Sequence, residues 1–140
     1  MRELLATTAE RATRYLEDLE TRCVAPSNDA IARLASLDIP LPNDPTSSEA
    51  VLRQLDELGS PATIAMAGPR FFGFVIGGSL PAALAANWLA TAWDQNSAFY
   101  NVTPATAALE QIALGWLLDV LQLPPESGGA LYCDCVNLST

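Results

Sequence analysis

Four features of this 140-residue sequence have residue types and spacing that bear on chemistry. Cys133-Asp134-Cys135 brings two thiols and a carboxylate together, which are metal ligands by type. A zinc site takes four ligands, with paired cysteines usually at C-x2-C spacing. Here Cys23 is the one further thiol and the chain has no histidine, so free thiols are the reading and no metal is expected. Gly77-Gly78 would let a ligand approach bare backbone, or would make a tight turn. Phe71-Phe72-Gly73-Phe74, with Trp88, Trp93, Phe99 and Tyr100, is a local aromatic concentration. It suits the wall of a pocket for an apolar or aromatic ligand, and equally a core or an oligomer interface. Glu110 and Asp119 stand nine residues apart on one expected helix, too far for paired acid–base work.

Composition excludes more than it suggests. All seven basic side chains are arginine, against sixteen acids, for a formal net charge of -9. Without histidine, no imidazole can act as a general base. Without lysine, no side chain of the chain can form a Schiff base with a carbonyl group. An acidic chain lacks the clustered cations of a nucleic-acid surface, so no nucleic-acid partner is expected. Residues 1–60 hold 17 of the 23 charged side chains. That part reads as solvated helices, and the remainder as core or as surface meant to be covered. The N-terminus carries charge too early for a secretory signal, so a cytoplasmic protein with reduced thiols is expected.

The elements that must position these residues are mostly helical. Leu5, Ala9, Ala12, Leu16, Leu19 and Cys23 recur at helical spacing and predict an amphipathic helix over 2–24. Glu10–Arg14 and Asp18–Arg22 are spaced as i,i+4 ion pairs on it. Ser27 or Asn28 can cap a short second helix through Ile31, Leu34 and Leu37. Three prolines in 38–45 forbid a helix and predict a stiff linker. Ser47 or Ser48 caps a third helix ending at Gly59. Residues 71–93 are uncharged and long enough to span a membrane, but Gly77-Gly78-Ser79, Pro81 and Asn87 interrupt them. They divide better into an extended piece at 71–76, a glycine turn and a helix over 81–95, and no membrane partner is expected. Thr103-Pro104 opens a last helix to about Leu123, apolar almost all round and so expected to be buried on more than one side. A strand-like run follows at 130–133. A lone strand lacks a partner, which suggests a chain ending inside a larger domain.

In order and spacing, several blocks resemble the pyridoxal-phosphate-dependent amino-acid decarboxylases, the family of the aromatic-amino-acid, glutamate and tyrosine decarboxylases. The blocks are Pro69-Arg70-Phe71-Phe72-Gly73-Phe74-Val75-Ile76-Gly77-Gly78-Ser79, Asn101-Val102-Thr103-Pro104-Ala105, Leu109-Glu110, Trp116-Leu117-Leu118 and Leu121-Gln122-Leu123-Pro124. The resemblance covers residues 69–123. It implies that the chain itself is mainly α, within a parent α/β fold of the type I aminotransferase-like transferases. It implies a helical segment over 1–60, the start of the decarboxylase domain over 61–140, and a homodimer.

The resemblance also implies roles. Phe74, Val75, Gly77 and Gly78 match the stretch beside the substrate. Asn96, Ala98 and Phe99 match the part reaching the partner subunit's active site. Asp134 and Cys135 fall where the family has a small-residue loop holding the phosphate of pyridoxal phosphate. That loop is about two residues short here, and the Asp134 carboxylate would repel a phosphate. The family's stacking histidine, ring-nitrogen aspartate and Schiff-base lysine are expected beyond Thr140. The chain is therefore expected to be the front part of an enzyme that removes carbon dioxide from an L-amino acid, inactive alone. The rival expectations are a helical dimerisation or interaction fragment, and a non-functional product of a truncated gene.

Overall fold

The structure, a computed structural model, describes residues 1–95 and 100–130. Among the described residues there are five α-helices and no strand: α1 (Arg2–Asp18), α2 (Asn28–Arg33), α3 (Ser48–Gln54), α4 (Pro81–Trp93) and α5 (Pro104–Val120). The chain divides into two compact units, Met1–Leu80 and Pro81–Thr140. The mainly α expectation holds for the described residues. All but the first residue of the strand-like run at 130–133 lies outside them.

In the first unit the serine caps act as their spacing requires. Ser27 Oγ accepts from Ala30 N at 3.1 Å and opens α2. Ser47 Oγ accepts from Ala50 N at 3.2 Å and opens α3. Each satisfies an amide that a helix start leaves without a carbonyl partner. α2 passes into a 3-10 turn at Leu34–Leu37, and the linker over 38–45 that follows is exposed and non-helical, as its prolines require. α3 passes into a π turn at Leu55–Gly59 and a 3-10 turn at Ser60–Ala62.

That π turn carries the charge contact between α1 and the segment after α3. Arg11 Nη1 and Arg14 Nη2 both donate to Asp56 Oδ2, at 2.5 and 2.7 Å. Arg14 therefore turns to Asp56 and not to Glu10, and the expected local pair is not the one formed. Arg22 likewise leaves Asp18. Its guanidinium lies over the Tyr15 ring at 4.7 Å and donates to the Ser60 carbonyl at 2.8 Å. The physical reason is common to both. A flexible arginine gains more from a carboxylate or carbonyl fixed by another segment than from a solvated neighbour on its own helix. Tyr15 Oη and Thr63 Oγ1, 2.9 Å apart, complete the seam.

α1 ends earlier than its apolar periodicity predicts, at Asp18 and not near residue 24. Leu19 leaves the helix and becomes one of three buried apolar residues of this unit, with Ala30 and Ala65. Ala65 N donates to the Val24 carbonyl at 3.0 Å, so residues 19–24 serve as backbone acceptors for the segment that returns to them.

In the second unit, α4 and α5 match the helices expected over 81–95 and from Pro104, each ending slightly sooner. Neither has a buried residue, against the expectation for α5 of burial on more than one side. Leu109, Ile112, Trp116, Leu117, Val120 and Leu121 are exposed. The helix is apolar all round because of its composition, and its cover is partial: Ala107, Ala113, Leu114 and Leu118 are half-buried, with Gly129 close against Leu114. Thr103, which precedes Pro104 at the start of α5, is buried.

Replacing Asp56 by Asn removes the shared acceptor of two guanidiniums. Because both arginines are partly solvated, the expected loss of unfolding free energy is about 1 kcal/mol. Urea denaturation read by circular dichroism checks this, with Glu57→Gln expected to change nothing measurable.

Candidate functional site

The loop over residues 66–80 holds four of the residues expected beside a substrate. Its base is fixed first. Gly68 N donates to the Ala65 carbonyl at 3.1 Å, and Phe71 N to the Gly68 carbonyl at 3.3 Å. A Cβ on Gly68 would sit 3.1 Å from the Leu19 carbonyl oxygen, so the absence of a side chain lets the loop meet the end of α1. Arg70 donates from Nη2 to the Arg22 carbonyl. Three separate contacts thus tie 65–70 to 19–24.

Beyond that base, residues 71–76 are not the extended piece expected from their apolar run. Phe74 and Val75 form a turn with φ of 58° and 56°. Side-chain-bearing residues rarely adopt such backbone, and a β-branched valine least of all. Each costs on the order of 1–3 kcal/mol unless its surroundings enforce it. Here they do. Ile76 N donates to the Gly73 carbonyl and Gly78 N to the Met66 carbonyl, both at 3.3 Å. Gly77 at φ 108° and Gly78 at φ 85° then turn the chain back. A Cβ on Gly77 would overlap the Met66 carbonyl oxygen, whereas one on Gly78 would meet nothing within 4 Å. Of the two readings for Gly77-Gly78, the tight turn is therefore built, with close backbone approach occurring inside the loop.

The consequence is a display of apolar side chains. Phe74 is 84% exposed and Val75 104%, with Phe72, Ile76 and Leu80 also exposed. Phe71 alone points inward and is half-buried. The structure thus brings Phe74, Val75, Gly77 and Gly78 together on one loop of the first unit. Asn96, Ala98 and Phe99, also expected at the substrate, lie outside the described residues, as do Asp134 and Cys135, expected at the cofactor. Trp88 and Trp93 are exposed on α4, and Tyr100 is exposed in the same unit. Among the described residues no three acidic or cysteine side chains come together as metal ligands. No helix among them is long and apolar enough to cross a membrane. Met66, Gly68 and Phe71 hold the loop, and their spacing alone did not reveal it.

Similarity to known proteins bears on the same loop. Residues 32–140 match the family model described as the pyridoxal-dependent decarboxylase conserved domain. With the match covering well over half of its length, the chain belongs to the family of pyridoxal-dependent decarboxylases, whose fold is that of the pyridoxal-phosphate-dependent transferases. The chain is 28% identical over 110 residues to the aromatic-L-amino-acid decarboxylase of Bos taurus. That alignment spans 79% of this chain and 23% of the length of its relative.

The family works with pyridoxal phosphate, and the described residues do not by themselves form a holder for it. The chain has no lysine to bond an aldehyde carbon and no histidine to stack on a ring. In the 66–80 loop the amides of Ile76 and Gly78 already donate to the Gly73 and Met66 carbonyls.

The glycine geometry orders three substitutions. Gly77→Ala combines positive φ with overlap and should destabilise the chain by more than about 1 kcal/mol. Gly78→Ala meets only the backbone penalty and should cost less. Gly59→Ala, at φ -75° with nothing near its Cβ, should stabilise by about 0.4–1 kcal/mol. Denaturant midpoints of the three variants check both the order and the change of sign.

Proposed function

We propose that these residues form the front part of a pyridoxal-phosphate-dependent amino-acid decarboxylase, an enzyme that removes carbon dioxide from an L-amino acid. In this reading Phe74 and Val75 supply an apolar wall beside the substrate side chain, and Gly77 and Gly78 keep the adjoining backbone free of side chains. Asn96, Ala98 and Phe99 serve the partner's site of a homodimer, and the enzyme is cytoplasmic. Residues 1–60 act as a helical segment ahead of the decarboxylase domain that starts at 61.

One observation carries this reading. The 69–79 block, within the stretch that matches the family model, is also where the chain holds two successive side-chain-bearing residues at positive φ and turns their side chains outward. Strain of that kind persists where a structure has a use for the geometry. The chain's own contribution is shape. It offers apolar surface that excludes water from one side of a substrate, while these residues include no lysine side chain to hold an aldehyde cofactor.

The apolar exposure of α4 and α5 favours a second reading, in which the chain acts by association. Purified chain, supplied with pyridoxal phosphate and aromatic L-amino acids, is expected to release no carbon dioxide above background. Measurable turnover would overturn the claim that the catalytic groups lie elsewhere. Sedimentation of the same sample tests what the two readings share. A monodisperse monomer would count against both the dimer and the association reading.

A further inference from the structure

We infer that Phe71 is a positioning residue, an inward ring around which the 73–77 loop is wrapped so that Phe74 and Val75 are held outward as a preformed wall. The inference rests on the substrate-wall reading of those two residues, and adds what sets their position.

Two contacts define the ring's place. A Cβ on Gly73 would lie 3.1 Å from Phe71 Cζ and 3.3 Å from Cε2. A Cβ on Gly77 would lie 3.0 Å from Phe71 Cδ1. The ring therefore packs by its tip against the backbone of Gly73 and by its side against that of Gly77. These are the residues flanking the strained pair and their neighbour Ile76. A side chain on either glycine would crowd the ring, which would have to shift by a few tenths of an ångström, and the ring fills the space that the two glycines leave. The hydrogen bonds close over the same ring, from Ile76 N to the Gly73 carbonyl and from Gly78 N to the Met66 carbonyl.

Phe71 is also joined to the rigid part of the unit. Its own amide donates to the Gly68 carbonyl, and Gly68 abuts the Leu19 carbonyl at the end of α1. Ordering thus passes from α1 through Gly68 to Phe71, and from its ring to the loop. Phe72, one residue on, is 91% exposed and takes no part in this packing.

Amide hydrogen exchange on the 140-residue chain, resolved by NMR, tests the inference without cofactor or substrate. Phe71→Ala should speed exchange at Ile76 and Gly78 at least about tenfold, while α1 amides keep their protection. Phe71→Leu, which restores apolar bulk against the two glycines, should recover part of the loss. Phe72→Ala, an equal deletion on the outward side, should leave both amides unchanged. Circular dichroism confirms that each variant keeps its helices. Unaltered exchange in Phe71→Ala, or equal loss in Phe72→Ala, would overturn the inference. If Phe71→Ala unfolds the whole unit, Phe71→Leu decides: wild-type protection at Ile76 and Gly78 refutes, and selective loss at those two amides supports. Because no ligand enters, failure here leaves the substrate-wall reading standing, and failure of that reading leaves these exchange rates untouched.

Discussion

The first unit depends on a backbone seam between the end of α1 and the segment at 65–70. Ala65 donates to the Val24 carbonyl, Gly68 lies against the Leu19 carbonyl, and Arg70 donates to the Arg22 carbonyl. Only backbone acceptors are used on the α1 side. That choice requires α1 to stop at Asp18, because carbonyls inside a continuing helix would be engaged four residues on. The early stop turns residues 19–24 into a row of free acceptors. With only Leu19, Ala30 and Ala65 buried among apolar side chains, these polar contacts matter more than they would in a large core.

The same seam explains how a strained loop can be kept. Positive φ at Phe74 and Val75 must be offset by contacts made elsewhere. The loop enters from a base already fixed and returns to the Met66 carbonyl through Gly78. Both ends are held within a few residues of one another, so the turn between them has few conformations to choose from and little entropy to lose. Asp56 acts in parallel on the other side of α1, where two arginines on one helix face converge on one carboxylate oxygen. The π turn at Leu55–Gly59 contributes that carboxylate from a segment otherwise continuous with α3.

Much of this was legible in the sequence, and what was not has a physical pattern. Ser27 and Ser47 announced their helices because a cap is a local interaction, set by residues three apart. The prolines of 38–45 and Pro104 marked boundaries for the same reason. The length of α1 was misread because its periodicity continues to Cys23, while the demand for free carbonyls comes from residues more than forty positions away. The apolar run at 71–76 suggested extended backbone because a run of that kind records burial preference and not φ. The signal that could have corrected it was the spacing of Gly73 and Gly77 after the aromatic pair Phe71-Phe72. Its meaning depends on Phe71 pointing inward while Phe72 and Phe74 point out. Of the candidate site, the loop residues were found by likeness to a family, and their geometry only by the structure.

The distribution of charge links these points to function. Charges gather in the first sixty residues, where arginine and aspartate join helix to turn. From Phe71 to Trp93 there are none. An uncharged stretch that folded into its own core would need no further account, but Phe72, Phe74, Val75, Trp88 and Trp93 are all exposed. Leaving large apolar side chains in water forgoes roughly 1.5–3 kcal/mol for each that could be fully buried. A sequence that avoids charge across such surface is therefore suited to being covered. Membership of a decarboxylase family gives that surface a use, and the lack of lysine and histidine restricts its share of the chemistry. What these residues present is a shaped apolar surface, with no lysine or histidine among them.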